Sequence, residues 1–130
     1  MIFARCESLI TGAGEDDAIN RCRAYIEAGA DGIMIHSKAQ TPDEIISFVK
    51  RFRAEVSADK PIVAVPSTYS QVTESELAAI GVNIVIYANQ LLRAAYPAMR
   101  KCAERILECE RAQEASTELC MPIKEIISLI

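Results

Sequence analysis

With 130 residues, 51% of them apolar and 25% charged, the chain is long enough for one domain with one core and too apolar to be disordered. Its formal net charge of -4 is spread over interspersed acidic and basic residues, and without tryptophan or an Arg-Gly cluster there is no stacking platform, which argues against a nucleic-acid partner. No apolar run approaches the roughly 20 residues of a spanning helix and no charged leader precedes a signal-like core, so a soluble chain with no membrane partner is expected.

In chain order, "IFA" at 2–4 reads as a buried strand that ends on the charged residues Arg5 and Glu7. A loop, "SLITGAG", follows. Glu15, Asp16 and Asp17 then oppose the positive end of a helix dipole, and a helix is expected from there to Ala28 with Ile19, Cys22 and Ile26 inward and Gly29 as its stop. "DGIMIH" is a second strand, closing on His36, the chain's one histidine. Thr41-Pro42-Asp43-Glu44 has the form of a capping box with proline at the first helical position, leading a helix whose stripe is Ile45, Val49, Phe52 and Val56. "PIVAV" from Pro61 is a third strand, ended by Pro66, which has no donor for the ladder. Thr73 and Glu76 make a second capping box for a short helix with Leu77 and Ile80 inward and Gly81 as its stop. "NIVIYA" is the fourth strand. A long helix is expected from Asn89 toward Glu114, kinked at Pro97, with Leu92, Ala95, Met99, Cys102, Ile106 and Cys109 at alternating spacings of three and four.

The five cysteines, Cys6, Cys22, Cys102, Cys109 and Cys120, contain no CxxC pair, and their placing on apolar positions or near the tail fits inert thiols in a reducing cytoplasm better than a disulfide frame or zinc site.

Four strand-loop-helix units mean a parallel sheet covered by helices. Two architectures fit: an open doubly wound sheet, whose first turn should carry a glycine-rich phosphate loop that "RCESLITGAGED" does not match, or half of an eight-stranded (β/α) barrel, whose usual length is about 250 residues. In a barrel the polar residues at the carboxyl ends of the strands converge on one mouth. Here these are Arg5 and Glu7; His36, Ser37 and Lys38; Ser67, Thr68 and Tyr69; and Asn89 with Arg93. Arginine and histidine there suit an oxyanion or phosphoryl group. From pattern alone Arg5 reads equally as a rim residue paired with Glu7, His36 as a satisfied core histidine, Ser67 to Tyr69 as turn residues and Asn89 as a helix N-cap.

"ARCES", "AGADGIMIHSK", "IVAVPSTY" and "GVNIVIYANQLLRA", with the tail "MPIKEIISLI", together resemble the carboxyl-terminal half of the phosphoenolpyruvate mutase family, within the isocitrate lyase and phosphoenolpyruvate mutase superfamily. The resemblance implies a fold of strands five to eight of a (β/α)8 TIM barrel with a long C-terminal helix. Residues 1–114 would form four βα units, residues 115–130 a tail with a short amphipathic helix (Ile123, Ile126, Ile127, Ile130), and the start of the chain reads as a cut. It also implies interconversion of phosphoenolpyruvate and phosphonopyruvate in phosphonate biosynthesis. Arg5 and His36 would be the catalytic and substrate-binding clamps on the moving phosphoryl group. The Mg2+ cofactor would be held by acidic residues of the absent amino-terminal half, so the segment alone is expected to be inactive. Dimers or tetramers by helix exchange are implied as well, and a half barrel has edges that invite self-association. Phosphonopyruvate hydrolase, a carbon–carbon lyase of the methylisocitrate lyase kind and a non-catalytic oligomerising fragment stand as alternatives.

Overall fold

The computed structural model describes residues 1–129 and divides the chain into two compact units, residues 1–88 and 89–130. The first unit carries a four-stranded parallel sheet in the order β1-β2-β3-β4, with strands Phe3–Cys6, Gly32–Ile35, Ile62–Ala64 and Ile84–Val85. Between the strands lie α1 (Ser8–Thr11), α2 (Glu15–Glu27), α3 (Asp43–Glu55) and α4 (Glu74–Ala79). The strictly alternating pattern thus produces an α/β fold, as expected.

The register sorts the strands into two faces, because successive side chains of a strand point to opposite sides. Ala4, Ile33 and Ile62 share one row and Cys6, Ile35, Ala64 and Val85 another. This face meets the helices. Its residues pack with Ile19 and Cys22 of α2, Ile45, Phe48, Val49 and Phe52 of α3, and Leu77 of α4 in one core. Burying each large apolar side chain of this set contributes about 1.5–3 kcal/mol, which is the main reason the helices lie where they do. The opposite face carries Phe3 and Gly32, Arg5 with Met34, Val63 and Ile84, and then His36 and Ile86. It is less covered: Ile84 and Ile86 are 41% and 38% exposed.

Helix ends follow the local chemistry. Gly29 and Gly81 hold φ of 100° and 105°, and the residues after them return hydrogen bonds to the closing turns: Ala30 N–H to the Tyr25 carbonyl and Val82 N–H to that of Leu77. At α4 the capping box forms in full, with Thr73 accepting from Glu76 N–H and the Glu76 carboxylate accepting from Thr73 N–H. At α3 it does not. Thr41 Oγ1 donates to Asp43 at 2.8 Å, and Glu44, the residue meant to reach back, instead accepts from the buried Ser37 hydroxyl. A desolvated donor, the Ser37 hydroxyl, has taken the carboxylate away from the helix end.

Three further boundaries differ from expectation. The first strand runs on to Cys6, the loop after it winds into α1, and the fourth strand keeps only two paired residues.

In the second unit α5 spans Gln90–Cys109, with Pro97 inside it, and stops five residues earlier than expected because Glu110 turns left-handed at φ 53°. Helices α6 (Gln113–Glu118) and α7 (Ile123–Ile127) follow. Arg105 Nε and Nη2 donate to the two oxygens of Glu118 at 3.1 and 3.0 Å, holding α6 to α5. The expected amphipathic tail forms α7 through Ile123, Ile126 and Ile127, while Ile130 lies outside the described residues. No helix among the described residues is long and apolar enough to cross a membrane.

Candidate active site at the strand ends

Strands β1 and β2 deliver Arg5 and His36 to the same end of the sheet, on its less covered face, and the two side chains meet. Arg5 Nη2 donates to His36 Nδ1 at 2.8 Å. A guanidinium has only donors, so this nitrogen of the ring is an acceptor and the ring proton resides on Nε2. Glu7, two residues after Arg5 and therefore on the same face, accepts from Arg5 Nε and lies 3.5 Å from His36 Nδ1. The bond from Arg5 is the chief reason the Glu7 carboxyl is held below its ordinary range, with the charge of Arg5 adding to it. The three groups therefore form a compact cluster in which the arginine charge is balanced by its own neighbour.

The loop behind His36 is tied from several sides. Ser37 is 2% exposed; its hydroxyl donates to Glu44 and accepts from Ala39 N–H at 3.0 Å. Lys38 Nζ donates to the Ile10 carbonyl of α1 at 2.7 Å, and Thr68 Oγ1 to the Ser37 carbonyl at 3.4 Å. Ser37 and Lys38 thus act as anchors for the loop that carries the ring. Tyr69, expected among the turn or mouth residues, is instead fully buried in the core on the helix side of the sheet. Its "PSTY" context looks like turn chemistry, and only the tertiary fold turns the ring inward. Desolvation pushes its hydroxyl up to about 12.

Asn89 takes the N-cap position of α5 in the second unit, as the sequence suggests, but its side chain makes no cap hydrogen bond. Arg93 follows on α5, exposed.

Beside the cluster, a concavity of about 330 Å³ is lined by Arg5, Glu7, Ser8, Thr11, Asp17, Arg21 and Tyr25. Its charges are already paired: Asp17 accepts from Ser8 at 2.6 Å and from Arg21 at 2.7 Å, while Arg5 holds Glu7.

The acidic residues do not assemble into an ion site. Glu15 and Asp16 both accept from Arg51 of α3, at 2.9 and 2.8 Å, and Asp17 faces Ser8 and Arg21. Among the described residues no group of three or more His, Cys, Asp or Glu side chains is placed to hold a metal ion. The residues present do not fit a magnesium ion on their own.

A family model described as phosphoenolpyruvate phosphomutase matches residues 1–107. The phosphonopyruvate hydrolase of Variovorax sp. (strain Pal2) is 45% identical over 130 residues, an alignment covering 99% of this chain and 43% of the relative. The crystal structure of the phosphoenolpyruvate phosphomutase from Streptomyces platensis subsp. rosaceus superposes with a TM-score of 0.86 at 35% identity, covering 99% of this chain and 43% of that one. A phosphonopyruvate hydrolase solved in complex with oxalate and Mg2+ superposes at 0.84 with 44% identity, over 99% of this chain and 44% of its own. The chain thus spans less than half the length of these relatives. Matched over most of its residues by the family model and along nearly its whole length by these enzymes, the chain belongs to the phosphoenolpyruvate phosphomutase family.

Proposed function

We propose that this chain is the second half, strands five to eight, of a (β/α)8 barrel enzyme acting on the phosphorus–carbon bond of phosphonopyruvate, and that Arg5 and His36 hold its phosphoryl group. In that barrel residues 1–114 supply four βα units and residues 115–130 the tail, and the less covered face of the sheet looks inward. The observation that carries the reading is the contact of Arg5 with His36 at the carboxyl ends of adjacent parallel strands. A phosphoryl group in transfer spreads charge over its equatorial oxygens, and fixed donors that need no reorganisation stabilise that charge best. Arg5 offers its remaining guanidinium N–H groups, and His36 offers Nε2–H because its Nδ1 is already taken.

Interconversion of phosphonopyruvate and phosphoenolpyruvate, the mutase reaction, is the first reading. Hydrolysis of phosphonopyruvate to pyruvate and phosphate is the second, favoured by the 45% identity to the Variovorax hydrolase. The two share a substrate and a clamp and differ in whether water or the enolate oxygen receives the phosphoryl group. Magnesium is expected of the whole enzyme through ligands outside this chain, and these 130 residues alone are expected to be inactive. Exchange of the long C-terminal helix between subunits of a cytoplasmic dimer or tetramer completes the reading.

The test is phosphorus NMR of phosphonopyruvate incubated, with magnesium, with an enzyme carrying these residues in a complete barrel. Phosphoenolpyruvate as product supports the mutase and inorganic phosphate the hydrolase. No turnover of phosphonopyruvate at all would sink both.

A further inference from the structure

Two of the thiols in the second unit face each other. Cys102, half-buried on α5, and Cys120, exposed just after α6, have their sulfur atoms 3.6 Å apart. A disulfide requires about 2.05 Å, so closing the gap takes an approach of roughly 1.5 Å at the end of a short helix. The remaining thiols are placed differently: Cys6 and Cys22 are buried in the first unit, and Cys109 lies half-buried further along α5. The segment between Cys102 and Cys120 is already folded back on itself, through the left-handed Glu110 and the two-pronged Arg105–Glu118 pair.

We propose that Cys102 and Cys120 are a reversible redox site, closing into an intramolecular disulfide on exposure to a low-molecular-weight disulfide. Cys120 is the more open of the two and attacks first. Its sulfur bonds to one sulfur of the oxidant, whose other half leaves as a thiol. Cys102, lying against it, then attacks the Cys120 sulfur and expels the second half, which takes up the proton that Cys102 gives up and leaves as a thiol. Two protein thiols are oxidised, one oxidant disulfide is reduced to two thiols, and atoms and electrons balance. The hydrogen bond to Cys120 keeps the Cys102 thiol above its ordinary pKa, which suits it to wait protonated until Cys120 is capped. The bond would fix α6 against α5, across the turn at Glu110.

Trypsin separates the three cysteines of this unit, leaving Cys102 in residues 102–105, Cys109 in 106–111 and Cys120 in 112–124. The 130-residue chain is treated with oxidised glutathione under native conditions, alkylated, digested and mapped by mass spectrometry. Residues 102–105 and 112–124 should be linked in one species, the whole chain should lose two hydrogens in mass, three of the five thiols should remain free, and dithiothreitol should reverse all of this. Cys102→Ser should stop at a mixed disulfide on Cys120. A persistent glutathione adduct on Cys120 in the unsubstituted chain, a bridge through Cys109, five thiols left unchanged, or the same distribution of bridges in denaturant would each overturn the proposal.

Discussion

Arg5 and His36 lie 31 positions apart in the chain, yet the guanidinium Nη2 of one is 2.8 Å from the imidazole Nδ1 of the other. The parallel register makes this meeting possible, because it sets Arg5 beside Met34 and Cys6 beside Ile35, one step short of the histidine. With a single histidine in the chain, the consequence is directly readable. Nitrogen NMR of the ring at alkaline pH should find Nδ1 unprotonated and the proton on Nε2. Arg5→Ala should return a mixture of tautomers, and an unchanged spectrum would mean that the contact does not govern the ring.

In a complete barrel, Arg5→Ala and His36→Ala should each lower kcat on phosphonopyruvate by about 10²–10³, the scale seen when one fixed donor to a developing negative charge is removed. Arg5→Lys should recover little, because an ammonium keeps the charge but cannot serve Glu7, His36 and a substrate oxygen together from one planar fork. Steady-state kinetics on the three variants, with circular dichroism to show they are folded, checks this.

Gly32 lies beside Phe3 on the less covered face, and a Cβ there would come within 2.5 Å of Phe3 Cε1 and 2.6 Å of the Pro61 carbonyl oxygen. The second contact is with backbone, which cannot swing aside. Gly32→Ala should therefore destabilise the sheet by about 1–3 kcal/mol, as overpacking does, measured as a lower urea midpoint.

The two Thr-x-x-Glu stretches should respond differently to the same substitution. Thr73→Ala removes a cap that is made and should cost about 1 kcal/mol. Thr41→Ala removes only an exposed bond to Asp43 and should fall within about 0.5 kcal/mol of the parent. Equal losses at both sites in denaturant titrations would contradict the geometry.

Acid should weaken the first unit in a defined direction. Arg5 holds the Glu7 carboxyl below its ordinary range, Arg51 does so for Glu55, and the Thr73 backbone N–H and hydroxyl do so for Glu76. A carboxyl depressed in the folded state adds stability above its unfolded value, and that stability is lost as pH falls through the folded value. Urea midpoints should hold steady from neutrality to about pH 5 and fall below about pH 4, the ordinary carboxylate range. Glu7→Gln should flatten part of that fall.

These outcomes also mark how far the residues alone could speak. Strands, helices and stops at Gly29 and Gly81 were legible because each rests on a local rule: apolar runs, periodicity, or a glycine free to turn left-handed. Arg5 and His36 stood out as a strand-end arginine and the chain's one histidine. The pairing of Arg5 with Glu7 was legible from their spacing, but the contact of Arg5 with His36 was not, since it depends on the register between β1 and β2. The Thr41 box failed for a similar reason: its glutamate was claimed by Ser37, six residues upstream of the helix and buried only once the sheet has formed. Tyr69 points the same way, for nothing in "PSTY" announces a ring at the centre of a core. The end of α5 was missed because Glu110, not a glycine, takes the left-handed position.

Glu7 has one more effect on the cluster. It is an anion tethered two residues from Arg5, and its effective concentration there is on the order of millimolar or higher, as for any short flexible tether. A visiting anion therefore meets a guanidinium that is already occupied, and must outcompete a resident rather than fill a gap. Chloride or acetate, with one charge and no fit to a planar fork, gains little by the exchange. On the proposed reading, a doubly charged phosphonate, able to engage the guanidinium and the imidazole N–H together, would gain enough to displace it. On that reading the resident carboxylate would set an entry threshold against small monoanions.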